Sequence, residues 1–299
     1  MSFCFNFDVP AQTTNPEEES GDRTKPAEPV KEAKEHLPQS DPQFLLTDAV
    51  AETITIGTLP PLHFLNETVF EKTAAEREDR EEILLRTAEQ RSDLISGVYE
   101  GGLKVWECTY DLLELIEKDG ETFGGKAVLD LGCGAGLLGI LALKRGARQV
   151  HFQDYNSTVI EQLTEDEEKD GISPPKKRAA DLSQDPLLAK CRFFSGDWST
   201  FLALVKKEEP HPKYDIIFTA ETIYNTAYYP ALHETLHKLL APDGLVYLAT
   251  KSHYFGVGGG LHLFETFVEQ RGVFSLDHLW DGEDGLQRHV VVLRFKKPL

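Results

Sequence analysis

The chain predicts an α/β fold built on a mostly parallel sheet of seven strands, with an antiparallel last strand. Three observations carry this. Short apolar runs recur at residues 127–131, 150–154, 191–195, 214–220, 245–250, 273–279 and 289–295. Helix-compatible stretches separate most of them, the pattern of βαβ units and parallel pairing. The last two runs are joined by a glycine turn at 282–285 instead of a helix, so they pair antiparallel.

Taken in order, the elements have local causes. Residues 105–117 place Val105, Cys108, Leu112, Leu113, Leu115 and Ile116 at helical spacing. The run 127–131 ends in a glycine loop and is followed by a helix at 137–144 that stops at Gly146. Further helices fit 199–207, 230–240 and 261–271. Between 164 and 190 the alternation is interrupted by the acidic run 165–168 and by Pro174-Pro175-Lys176-Lys177-Arg178. A polar stretch of that length reads as a loop insertion, and its basic triplet as a candidate nuclear address.

The first ninety residues form a separate extension. They hold 19 acidic and 8 basic residues, and 10–42 are rich in Pro, Glu, Ser, Thr and Lys with almost no aromatic side chain. Such a stretch cannot bury enough surface to offset its ordering entropy, so 1–90 is expected to be largely disordered. Short extended pieces are expected at 53–56 and 62–65, and 67–90 is charged and helix-compatible.

The whole chain of 299 residues has 31 Lys plus Arg against 50 Asp plus Glu, a net charge of −19. That balance argues against docking on nucleic acid or an anionic membrane and favours a basic protein partner. Cys4, Cys108, Cys133 and Cys191 show neither CxxC nor finger spacing, so reduced thiols are expected and no metal site. No secretory signal and no membrane-spanning run is read, and the chain is expected to act as a monomer.

The chemistry concentrates around the glycine loop. Gly134, Gly136 and Gly139 satisfy GxGxxG with Asp154 twenty residues after Gly134, which suits a dinucleotide. Asp130 with Gly132, Gly134 and Gly136 also gives D-x-G-x-G-x-G, the pattern of S-adenosylmethionine-dependent methyltransferases. A pyrophosphate wants a helix N-terminus without a carboxylate beside it. The ammonium and sulfonium of adenosylmethionine suit one, and Asp130 is expected to supply it. Asp154 would accept from ribose hydroxyls in either case. Gly196-Asp197-Trp198 after the third strand would meet the adenine, flanked by Tyr155, while Asn156 would cap the next helix. After the fourth strand, Glu221 and Tyr224 are placed to handle a substrate amine or imidazole, with His253 and Tyr254 after the fifth as further candidates. Gly258-Gly259-Gly260 is expected either to let a substrate backbone pass or to form a plain flexible loop.

Several strings, SDLISGVYEGGLKVWECT (92–109), VLDLGCGAGLLGI (128–140), HFQDYNS (151–157), CRFFSGDWS (191–199), TAETIYN (219–225) and HYFGVGGGLHLF (253–264), resemble the protein-histidine methyltransferases in order and spacing. Phe3, Phe5 and Phe7 agree as well, whereas residues 10–90 match poorly. The resemblance implies a Rossmann-like class I methyltransferase fold, strand order 3-2-1-4-5-7-6, over residues 91–299. It implies S-adenosyl-L-methionine as cofactor and transfer to the tele nitrogen of a histidine in a large-subunit ribosomal protein of the L-three family. It also implies residence in nucleus, nucleolus and cytoplasm. Its cofactor contacts fall on Val105, Trp106, Glu107, Cys108, Thr109, Gly132, Gly134, Gln153, Asp154, Tyr155, Asn156, Gly196, Asp197, Trp198 and Thr219.

Three rivals remain at this level. The spacing Glu221-x-x-Tyr224 also suits a lysine methyltransferase. An escort without activity would bind a basic ribosomal protein by charge alone, and an oxidoreductase would use GxGxxG for a nicotinamide. Loss of residues 10–60 is expected to leave the chemistry intact and to slow only the capture of a full-length substrate.

Overall fold

The computed structural model describes residues 30–37, 51–59, 61–65, 101–102, 104–165, 187–282 and 287–297. Its centre is an eight-stranded sheet. In chain order the strands are β1 (Lys34–His36), β4 (Ala127–Leu131), β5 (Gln149–Asp154), β6 (Cys191–Ser195), β7 (Tyr214–Ala220), β8 (Leu240–Lys251), β9 (Phe274–Asp281) and β10 (Arg288–Phe295). A separate hairpin is formed by β2 (Ala51–Ile54) and β3 (Leu62–Leu65).

The sheet order is β1-β6-β5-β4-β7-β8-β10-β9. Strands β4 to β8 pair in parallel, while β10 runs antiparallel to both β8 and β9. Leaving out β1, the order is the 3-2-1-4-5-7-6 implied by the resemblance. The addition is β1, which extends the sheet by an antiparallel edge beside β6, with Lys34 opposite Ser195 and His36 opposite Phe193. Composition assigned this stretch to the disordered extension. It is held by side chains that a hydropathy pattern does not weigh. Arg192 grips Glu35 through two bonds of 2.7 and 2.9 Å, and His36 meets the Ser195 hydroxyl at 2.8 Å.

Helices cover both faces, as parallel pairing requires. On one face lie α1 (Glu107–Asp119), α2 (Leu137–Lys144) and α3 (Ser157–Glu165). Leu112, Leu113, Ile116, Leu138, Leu141 and Ile160 there join Val128 and Phe152 in one core. The β2–β3 hairpin closes this layer with Leu62 and Phe64, and Glu117 accepts from the Thr58 amide and hydroxyl, both at 2.9 Å. On the other face α4 (Trp198–Val205), α5 (Tyr229–Leu239) and α6 (Leu261–Arg271) pack Phe201, Leu232, Leu236 and Phe264 onto Leu129, Ile217 and Val246. Gly139 lets α2 sit tightly on β5, since a Cβ there would come within 2.3 Å of the Phe152 ring.

The hairpin and the core elements fall within a few residues of their expected bounds. The largest departure is β8, which begins at Leu240 and not at 245. Its ladder with β7 shifts between Tyr214 and Ile216, which accommodates Pro242-Asp243-Gly244 in the strand. Most of the expected insertion at 164–190, with Lys176-Lys177-Arg178, lies outside the described residues, as do Phe3, Phe5, Phe7 and 67–90. Because β4 to β8 run the same way, their C-terminal ends form one edge, where ligands of open α/β sheets bind.

Candidate active site

The loop after β4 turns through three left-handed glycines, Gly132 (φ 68°), Gly134 (φ 51°) and Gly136 (φ 69°). Side chains rarely adopt this conformation. A Cβ on Gly132 would also lie 2.6 Å from the Thr222 methyl, and one on Gly134 3.0 Å from the Gly102 carbonyl. The result is bare backbone at the end of the central strand. Asp154 ends β5 beside it and accepts from the Gly134 amide at 3.0 Å and the Asn156 amide at 3.2 Å. The Asn156 carbonyl in turn takes the Val159 and Ile160 amides at the start of α3.

Asp130 plays a different part from the one expected. It is 1% exposed, and its Oδ2 accepts from the Gly139 amide at 2.9 Å. Burial pushes its carboxyl up to about 8, with the Gly139 amide pulling the other way. Sealed beneath the loop, it anchors the start of α2 instead of facing the ligand.

The far wall comes from β6 and α4. Gln153 donates to the Gly196 carbonyl at 2.8 Å and accepts from the Trp198 indole at 2.9 Å, which fixes that ring. Asp197 caps α4 by accepting from the Ser199 amide at 2.7 Å. Segment 31–33 passes directly over this turn. The Lys31 carbonyl accepts from the Asp197 amide at 3.1 Å and the Thr200 hydroxyl at 2.7 Å. The Lys31 ammonium sits 5.0 Å from the centre of the Tyr155 ring, and a Cβ on Gly196 would meet Ala33. The extension therefore touches three expected cofactor residues, Tyr155, Gly196 and Asp197.

The expected acceptor side centres on Glu221. It follows β7 with φ 57°, the one left-handed non-glycine among the described residues, and its amide donates to the Ala249 carbonyl at 2.9 Å. Strain of this kind costs about 1–3 kcal/mol and persists where surroundings impose it. The side chain is buried. Its Oε2 accepts from the Tyr254 hydroxyl at 2.6 Å, and its Oε1 has no hydrogen bond but lies 3.5 Å from the Lys251 ammonium. Burial, and then Glu221, push the Tyr254 phenol well above its ordinary value, so it stays a donor. Burial works against the Lys251 ammonium, yet Glu221 and Glu107 outweigh it and hold it above its usual value.

Lys251 is a side chain of this cluster that the sequence does not single out. It bonds to Glu107 at 3.0 Å and lies 5.2 Å from the centre of the Trp106 ring. Burial, and then the neighbouring Glu221, push the Cys108 thiol up. Trp106, Glu107 and Cys108, implied as cofactor contacts, thus also border the acceptor carboxylate, with Val105 half-buried before them. The Thr109 amide donates to the Trp106 carbonyl in the first turn of α1. Thr219, the last residue but one of β7, has its hydroxyl 2.7 Å from that of Thr222.

Tyr224 stands edge-on to Tyr254 and Tyr228, and Tyr228 edge-on to Trp198, so aromatic rings link the cofactor wall to the acceptor carboxylate. His253 is exposed and packs its ring on Phe255, with no described contact to Glu221. Tyr254, one residue on, takes the place expected of it. Gly259 lies against this chain's own backbone, where a Cβ would be 2.3 Å from the Tyr224 carbonyl, whereas a Cβ on Gly258 would meet nothing within 4 Å.

Residues 107–279 match the family model of a methyltransferase domain. Over 90% of this chain and 74% of the relative, the sequence is 49% identical to a histidine protein methyltransferase 1 homolog from Bos taurus. The chain belongs to the histidine protein methyltransferase 1 family. Histidine protein methyltransferase 1 of Saccharomyces cerevisiae is 24% identical over 78% of this chain and 75% of its own length. Among solved structures, a TehB-like SAM-dependent methyltransferase from Corynebacterium glutamicum is similar over 72% of this chain and 99% of that one, at 19% identity and a TM-score of 0.42.

As a member of this family the protein is a methyltransferase, and its cofactor is S-adenosyl-L-methionine. The site fits that molecule: left-handed glycines bare the backbone at the end of β4, a carboxylate ends β5, and an anchored indole stands beyond β6. The helix α2 N-terminus that a pyrophosphate would need has the Asp130 carboxyl bonded to its Gly139 amide.

Proposed function

We propose that the enzyme methylates the tele nitrogen of a histidine in a basic large-subunit ribosomal protein of the L-three family. The single observation that carries the histidine assignment is the Glu221 carboxylate, fixed by Tyr254 on one oxygen and flanked by the Lys251 ammonium on the other. An imidazole attacks through one nitrogen only when its proton rests on the other, and a carboxylate accepting a hydrogen bond from that N–H selects the tautomer. A substrate ammonium approaching the same carboxylate meets the charge of Lys251 at once, whereas a neutral imidazole does not. Free histidine, with a pKa of about 6.5, is mostly neutral at pH 7, while lysine at about 10.4 must first lose a proton. The names of the relatives support the same acceptor.

When bound, S-adenosylmethionine supplies an electrophilic methyl group on its sulfonium. The loop at Gly132 and Gly134, Asp154 and the wall at Trp198 would hold it. Glu221 holds the proton on the non-attacking ring nitrogen and stabilises the cationic ring that forms. Tyr254 keeps the carboxylate in place, and Tyr224 orients the ring from the side. The net charge of −19 supports a strongly basic partner. A ribosomal substrate agrees with a monomeric enzyme working in nucleus, nucleolus and cytoplasm.

Glu221→Gln tests this reading. It is expected to lower the turnover rate at least about tenfold while calorimetry finds cofactor affinity within about twofold of wild type. Equal losses of rate and cofactor affinity would move Glu221 into the cofactor pocket.

A further inference from the structure

A second cluster lies on the opposite sheet edge from β1. We propose that His278, Asp281 and His289 form a site for one borderline divalent cation, with zinc the best match. The Nδ1 atoms of His278 and His289 lie 3.0 and 2.5 Å from the same oxygen, Asp281 Oδ1. All three ligand atoms fall within 4.8 Å of one another, the one such group of His, Cys, Asp and Glu among the described residues. A tetrahedral zinc with ligands at about 2.0–2.2 Å needs donor atoms roughly 3.3–3.6 Å apart, so a small outward shift of the rings suffices.

The backbone assembles the triad by an irregularity. His278 and Asp281 are three residues apart on β9, and a regular strand would send them to opposite faces. The ladder with β10 shifts register between Val290 and Val291, so that His289 faces Asp281 while Val291 faces His278. The extra residue restores the parity and brings both side chains to the face of His289. The far side of each ring is also held. His278 Nε2 lies 2.7 Å from Glu265 on α6, and His289 Nε2 lies 2.5 Å from the Ser252 hydroxyl just after β8. Metal-bound histidines characteristically rest their second nitrogen on a carboxylate or another oxygen in this way. Two imidazoles and a carboxylate suit zinc over calcium or magnesium, which favour oxygen.

An ion here would tie α6, β9 and β10 to the segment that carries Lys251 and Tyr254 to Glu221. The test uses the full chain, stripped with a chelator and kept reduced, with zinc and then cobalt as probes. Equilibrium dialysis is expected to find one zinc per chain at micromolar free metal and a rise in melting temperature. His278→Asn and His289→Gln are each expected to weaken binding at least about tenfold and to remove the rise. The cobalt complex is expected to lack the near-ultraviolet band of thiolate ligation, which excludes the cysteines. Near-ultraviolet circular dichroism and cofactor binding establish that each variant is folded; should either fail, Asp281→Asn takes its place. Zinc uptake equal in wild type and variants, no uptake by wild type, or a thiolate band would each overturn the proposal.

Discussion

Removing the Tyr254 hydroxyl tests the contribution of carboxylate placement to the reaction, although the same hydroxyl also meets the Thr250 hydroxyl at 3.1 Å and accepts from the Lys251 amide at 3.3 Å. In Tyr254→Phe the ring and its edge-on contact with Tyr224 remain, and the 2.6 Å bond to Glu221 Oε2 is lost. Oε1 already lacks a hydrogen bond and has Lys251 at 3.5 Å, so the carboxylate is free to swing toward the ammonium. A hydrogen bond to a charged group is worth about 1.5–3 kcal/mol. At about 1.36 kcal/mol per tenfold, the turnover rate falls roughly 10- to 150-fold if the whole bond acts in the transition state. Cofactor affinity changes less than about twofold, because the hydroxyl touches none of the walls at Gly134, Asp154 or Trp198. Single-turnover methylation of a target peptide, with separate calorimetry of the cofactor, reads both quantities. An unchanged rate, or a cofactor loss as large as the rate loss, would refute the role given to Glu221.

Three further outcomes follow from the packing. Deleting residues 1–37 removes the Lys31 carbonyl from Asp197 and Thr200, two bonds of about 1 kcal/mol each, and cofactor affinity is expected to fall at least about tenfold by calorimetry. Gly139→Ala drives a methyl into the buried Phe152 ring, which is stacked on Phe193, and is expected to destabilise the protein by about 1–3 kcal/mol in urea denaturation. Burial holds His36 down to about 4 and His151 down to about 3, against an ordinary 6.5. The unfolded chain takes up these protons first, so stability is full above pH 6.5 and is lost on acidification down to about 4 for His36 and about 3 for His151. His36→Gln should flatten the upper part of that decline.

The parts legible in the sequence are those whose causes are local or periodic. Apolar runs such as Ala127–Leu131 and Tyr214–Ala220 declare strands, and a glycine loop followed by Asp154 declares a ligand edge. Lys34–His36 was not legible, because an edge strand held by Arg192 and Ser195 carries no apolar pattern. Asp130 was placed correctly at a strand end, but its depth depends on how α2 folds back over it. Lys251 reads as a polar strand terminus and acquires meaning only when β7, β8 and α1 converge on Glu221. His253 and Tyr254 are adjacent, and the turn after β8 settles which one meets the carboxylate. The parity shift that joins His278 to Asp281 comes from strand register, which composition does not reveal.

The most direct measurement of the central claim is the acceptor atom itself. Incubating the enzyme with labelled S-adenosylmethionine and unmodified large-subunit ribosomal protein, then mapping the label by residue-level mass spectrometry with amino-acid standards, identifies it. A single tele-methylhistidine, lost with Glu221→Gln, is the result predicted from the Glu221, Tyr254 and Lys251 arrangement. Methyllysine, or label on the other ring nitrogen, would contradict it.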